Sequence, residues 1–237
     1  HTLPGTTRAS LSIFVALIGF ILPVQTGALA ARREQGVPPA AVRAVVDTGG
    51  PDGVVAGMVK RFAEDYGSLE RFYSAPYSAQ RRERFGEFFR AWQSSVDSLP
   101  FGSMSQQEKV DAILFRNMLG HELRRLGISG ERFTEMLPLI PFAPRLVVLE
   151  EERRALKPVD PGTTAALLND VKKVLLETKA RYDSLAKAGK PGVKKTVANR
   201  AARAVGEIRT MLSGWFGYRD GYDPSFSWWV KAPYTEL

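Results

Sequence analysis

The chain has 237 residues, 44% hydrophobic and 24% charged, the balance of a folded chain with a core. It contains no cysteine, which excludes disulfides, cysteine nucleophiles and thiolate metal sites. The formal charge of +8 is concentrated in residues 171–210, where eleven Lys and Arg face three acids, so an electrostatic partner is sought there first.

Arg8 precedes an apolar run over residues 11–24, followed by Ala28-Leu29-Ala30. A basic start, a short apolar stretch and a small-residue exit make the pattern of a secretory signal. A spanning helix wants about 20 apolar residues, and Pro23 interrupts this run. Residues 1–30 are therefore read as a cleaved signal peptide. That reading places the mature chain in the bacterial periplasm or outside the cell, with no stable membrane span after cleavage. Residues 31–52 mix Pro, Gly, Ala and charge without a lasting period and read as a flexible linker. The helical domain is expected over residues 53–237.

Val55, Met58, Val59, Phe62, Tyr66, Leu69 and Tyr73 recur every three or four residues, the stripe of a first amphipathic helix. A second opens at Ser78, carries Phe85, Phe88, Phe89, Trp92, Val96 and Leu99, and ends at Pro100. Ser105-Gln106-Gln107-Glu108 is a capping box that starts a third helix. Val110, Ile113, Leu114, Met118, Leu123 and Leu126 predict its apolar face, and Gly127 its end. A further helix is expected over residues 145–156. Asp160-Pro161 then supplies an N-cap and a first-turn proline.

Two long helices come next. Leu167, Val171, Val174, Thr178, Tyr182 and Leu185 mark one; Val193, Val197, Ala201, Ala204, Ile208, Met211 and Trp215 mark the other. Gly189-Lys190-Pro191-Gly192 joins them, which predicts an antiparallel hairpin. No stretch alternates with period two for long enough to suggest a sheet. The fold class read from the sequence is all-α, an array of amphipathic helices including a long antiparallel helical hairpin.

Few residues invite a mechanism. His121-Glu122-Leu123-Arg124-Arg125 stops short of the zincin helix motif, which needs a second His at the i+4 position held here by Arg125. A guanidinium has no lone pair to give a metal, so His121 is read as a helix-surface or packing residue. His1 lies in the signal region, which leaves one imidazole in the mature chain, too few for a zinc centre. Glu150-Glu151-Glu152-Arg153-Arg154 reads as a solvated helical face with a routine Glu150–Arg154 pair. No catalytic residue and no metal ligand is assigned in this chain. The basic segment offers Lys172, Lys173, Lys194, Lys195, Arg200 and Arg203 as candidates for an anionic envelope surface. Nucleic acid is disfavoured as a partner, because few aromatics are interleaved with these charges.

Residues 217–234 gather Tyr218, Arg219, Tyr222, Phe226, Trp228, Trp229 and Tyr234 among glycines and prolines. Two readings stand side by side. Phe226, Trp228 and Trp229 plug the helix array, with Asp223-Pro224 starting a last helix. Alternatively, Tyr218, Arg219, Tyr222, Trp228 and Trp229 line a substrate cleft.

Four stretches carry a family resemblance: Ile113-Leu-Phe-Arg-Asn-Met-Leu-Gly-His-Glu-Leu-Arg, Leu137-Pro-Leu-Ile-Pro-Phe-Ala-Pro, Lys157-Pro-Val-Asp-Pro and Gly221-Tyr-Asp-Pro-Ser-Phe-Ser-Trp-Trp-Val-Lys-Ala-Pro-Tyr. Together they resemble the bacterial domain-of-unknown-function 885 family, over about residues 54–237. The resemblance implies the N-terminal helical portion of a larger exported protein of zincin-type, metallopeptidase-like build, related in architecture to helical metallocarboxypeptidases. It implies a zinc cofactor held on a His-Glu-x-x-His helix well downstream. It also implies two partners, the C-terminal part of the same protein and a peptide-like substrate. No position here matches the zinc motif, so no functional residue is carried over. On this reading the chain frames a substrate cleft with its metal centre outside the chain. The alternative is a non-catalytic periplasmic helical module that binds an anionic envelope component through residues 171–210.

Overall fold

The computed structural model describes residues 53–190 and 192–237, all within a single unit of the chain. The signal peptide expected at 1–30 and the linker at 31–52 lie outside the described residues. Among the described residues there are seven α-helices and no strand, so the class is all-α.

Helix α1 (Val54–Phe72) buries Val55, Met58 and Phe62, the stripe its sequence predicts. Helix α2 (Ala79–Asp97) starts where Ser78 accepts a hydrogen bond from the Arg81 backbone N–H. A 3-10 turn at Phe101–Ser103 follows Pro100. Helix α3 (Gln106–Met136) opens on the predicted capping box. Ser105 Oγ accepts from the Glu108 N–H at 3.2 Å, and the Glu108 carboxylate accepts from the Ser105 N–H at 3.1 Å. The bonds from the Ser105 side chain and backbone hold the Glu108 carboxyl below its usual range.

Two expectations for α3 are corrected. Gly127 does not end it; the helix runs on to Met136, a length of about 46 Å. One glycine inside a helix costs only about 1 kcal/mol, less than burying Phe133 and Met136 returns. The buried face matches the predicted one only in part: Met118, Leu123 and Leu126 pack against the core. Val110, Ile113 and Leu114 are exposed, and Ala112, Phe115 and Leu119 point inward. The helix carries two neighbouring apolar stripes, and the aromatic neighbours select between them. The Phe115 ring packs edge-on to Phe62 at 5.3 Å and against Trp92 at 6.0 Å.

Helix α4 (Ala143–Arg154) is followed by α5 (Pro161–Lys187), where Asp160 accepts from the Thr163 N–H as the predicted N-cap. Helices α6 (Lys195–Gly217) and α7 (Pro224–Glu236) complete the array. Asp223 caps α7 by accepting from the Ser225 and Phe226 N–H groups, and Gly221 makes the preceding turn at φ 80°.

The buried side chains form two clusters. One joins α1, α2 and the first half of α3. The other joins the end of α3 to α4, α5, α6 and α7. Helix α3 is the element common to both. The expected hairpin is not the packing unit. Helix α5 lies closest to α7, and α6 lies closest to α4 and α3. The short α7 wins the place beside α5 by burying Phe226 and Val230 completely. Among the described residues, no helix is long and apolar enough to cross a membrane.

Candidate functional site

The structure divides the five aromatic-stretch candidates. Tyr218 and Arg219 are built into a structural stack. The Arg153 guanidinium lies 4.9 Å from the Tyr218 ring centroid, and that of Arg219 lies 5.9 Å from Tyr218 and 6.0 Å from Phe226. Arg219 Nη2 also donates to the Lys157 carbonyl at 3.4 Å. Tyr222, Trp228 and Trp229 face solvent, at 90%, 83% and 54% exposure, and the Tyr218 ring, for all its cation contacts, is as open as Trp229 at 55%. Of the three residues expected to plug the array, only Phe226 does so. It packs edge-on to the fully buried Trp215 at 5.4 Å, and Tyr234 stacks on Phe216 at 3.9 Å. The reason is helical spacing. Phe226, Val230 and Tyr234 recur every four residues and take the inner face, which turns Trp228 and Trp229 outward.

The Glu150–Arg154 run is not a solvated face either. Glu150 is 4% exposed, and its carboxylate accepts from Arg153 Nε at 2.7 Å and Arg154 Nε at 2.9 Å. Burial pushes this carboxyl up, but the two guanidinium groups outweigh it and hold it below the usual range. The pairing in turn raises Arg153. Leu146, Val147 and Leu149 draw the helix inward, and Glu150 follows on the same face.

The basic candidates are also separated. Lys172 pairs with Glu236 at 2.9 Å, tying α5 to the end of α7. Lys173, Lys194 and Lys195 are exposed, the last two where α6 begins. Arg200 and Arg203, one helical turn apart on α6, line a groove.

That groove, of about 760 Å³, lies where the two clusters meet along α3. Tyr66 and Glu70 of α1 and Arg81 of α2 form one side. Helix α3 contributes His121, Glu122, Arg125 and Arg132, and α6 contributes Arg200, Arg203 and Glu207. Tyr77 lines it from the α1–α2 connection. Arg81 lies 3.5 Å from Glu70, Arg125 pairs with Glu122 at 3.0 Å, and Arg200 pairs with Glu135 at 2.6 Å. His121 is exposed, with Nδ1 3.4 Å from the Glu122 carboxylate. Tyr77 donates to Glu207 at 2.8 Å and Tyr66 to Glu70 at 2.9 Å. Burial, reinforced by the bond to Glu207, pushes the Tyr77 hydroxyl up to about 12. Burial and the bond to Glu70 raise Tyr66 as well. Both phenols therefore stay protonated near neutral pH as donors, which suits them to holding a shape rather than to proton transfer.

Chemically, the groove is equipped to recognise charge. Its guanidinium groups are planar forks that fit carboxylates. Among the described residues, no group of three or more His, Cys, Asp or Glu side chains is arranged to hold a metal ion. The sequence reading named Arg200 and Arg203 but missed Arg81, Arg125, Arg132 and the two tyrosines. No local pattern marks them, because they come from four separate elements and meet only through the packing around α3. No protein-family model, no curated protein and no solved structure matches the chain.

Proposed function

We propose that this chain is the helical wall of a substrate cleft in an exported, metallopeptidase-like protein whose metal centre lies outside it. The resemblance of residues 113–124, 137–144, 157–161 and 221–234 supports the class, including the periplasmic or secreted setting and the zinc of the intact protein. The observation that carries the reading is the outward ridge of α7. Trp228 and Trp229, with Tyr222 in the turn before the helix, leave apolar surface in water, while the other face of the helix is locked in the core. Such a surface is costly without a cover, and the remaining part of the same protein or a peptide-like substrate supplies one. The test is to read the coding sequence beyond Leu237 and express the extended chain. A downstream His-Glu-x-x-His helix, one bound zinc, and Trp228 and Trp229 shielded from acrylamide quenching are expected. A downstream sequence without that helix sinks the proposal.

The groove favours a second reading, a non-catalytic periplasmic helical module that binds an anionic component. Its motive is the surplus of guanidinium groups in one concave place, away from Trp228 and Trp229. This reading predicts salt-sensitive anion binding by the chain as it stands. Binding indifferent to salt overturns it.

A further inference from the structure

The charges around the groove are not balanced. Arg81, Arg125 and Arg200 each have a carboxylate, from Glu70, Glu122 and Glu135. Arg132 on α3 and Arg203 on α6 line the same groove, and neither forms an ion pair among the described residues. Arg200 holds Glu135 through Nη2 alone. Its Nη1 is shut off from solvent without an acceptor. Closed off in this way, Arg200 fixes the wall of the groove and leaves Arg132 and Arg203 to face a ligand. Two guanidinium groups from two helices, Arg132 and Arg203, thus present unoccupied donors along one groove.

We propose that this groove binds an acidic peptide segment, whose carboxylates are taken by Arg132 and Arg203. The proposal rests on the second reading above in treating the groove as a ligand site, and goes beyond it by naming the ligand. Three observations select carboxylates on a peptide. The pairs already in and beside the groove are guanidinium–carboxylate pairs, so the ligand extends a chemistry present there. Glu70, Glu122 and Glu207 share the groove and repel a dianionic phosphate more strongly than a singly charged carboxylate. The partly exposed Tyr66, Tyr77, Leu126 and Ile128 give apolar wall to the chain between charges. A volume of about 760 Å³ accommodates a few residues and not a thick polymer.

The experiment is fluorescence anisotropy of a labelled hexaglutamate peptide titrated with the full chain. Inorganic phosphate and vesicles of an anionic phospholipid serve as separate competitors. Hexaglutamate is expected to bind, more weakly as salt rises, and hexalysine is not. Arg132→Glu with Arg203→Glu weakens binding by roughly tenfold or more, the scale of charge reversal at a close ion pair. Lys194→Glu with Lys195→Glu, outside the groove, changes it by less than about twofold. Arg132→Lys with Arg203→Lys keeps the charge, loses the fork and falls between. Arg132 and Arg203 are exposed, so all variants should keep their helical circular dichroism. Equal loss in the two Glu pairs means a diffuse basic surface and overturns the proposal. Displacement of labelled hexaglutamate by phosphate or by vesicles at lower concentration than by unlabelled hexaglutamate overturns the ligand class while the groove stands. No anion binding at all overturns both the ligand and the reading beneath it.

Discussion

The two buried clusters reach stability by different routes. Around α1 and α2 the core is aromatic: Phe62 alone meets Tyr66, Phe88, Phe89, Trp92 and Phe115, at centroid distances from 5.2 to 6.2 Å. Around α4 to α7 burial is spread over many aliphatic positions. Ala143, Ala201 and Ala204 keep helix faces small there, and Trp215 and Phe226 fill the end. Rings bury much area each and interlock by geometry, so a few residues carry the first cluster. Small side chains let helices approach closely, so the second depends on nothing larger being inserted. The first should fail by truncation and the second by enlargement.

The largest break is expected from Phe62→Ala, which removes the ring all the others meet and should cost about 4 kcal/mol in urea unfolding. Glu150→Ala leaves Arg153 and Arg154 beside the second cluster without their carboxylate, and should cost about 3 kcal/mol at pH 7. That penalty has a pH signature. The folded-state value of Glu150 is depressed, so its contribution is complete above the unfolded value of about 4.3 and fades as pH falls through the lower folded value. Melting curves of the wild type and Glu150→Ala should therefore converge below about pH 4, and a constant gap down to pH 2 would contradict the assignment. Ala204→Leu inserts bulk at a fully buried position and should cost about 2 kcal/mol, whereas enlarging the exposed Ala202 should be neutral. Trp228→Ser with Trp229→Ser should shift stability by less than about 0.5 kcal/mol each, while reducing binding of an apolar dye.

Local signals are legible in the sequence. Ser78, the Ser105–Glu108 box, Asp160 and Asp223 each start a helix as written, because a cap is satisfied within one turn. The α1 and α2 stripes were legible for the same reason. Choices made by tertiary packing were not. Two apolar stripes on α3 are equivalent until Phe62 and Trp92 select Phe115. The fate of Trp228 turns on which of two helix faces reaches Trp215. Glu150 looks like any surface glutamate until Leu146 and Leu149 draw its helix inward. Two residues of the groove, Arg200 and Arg203, stood out by local charge density. Arg81, Arg125 and Arg132 did not, because the groove exists only after four helices are assembled.

The uninterrupted α3 has a consequence for the kinetics of assembly. Its first half completes the aromatic cluster, and its last turns, through Phe133 and Met136, enter the other. Neither nucleus can be finished without ordering a helix that the other also requires. The helix couples two otherwise separable folding units into one cooperative transition. Whereas α6 reaches it from far along the chain, on the side of the aromatic cluster its neighbours are close in sequence, α2 immediately before it and α1 one helix earlier. Loop closures that short carry little entropic penalty.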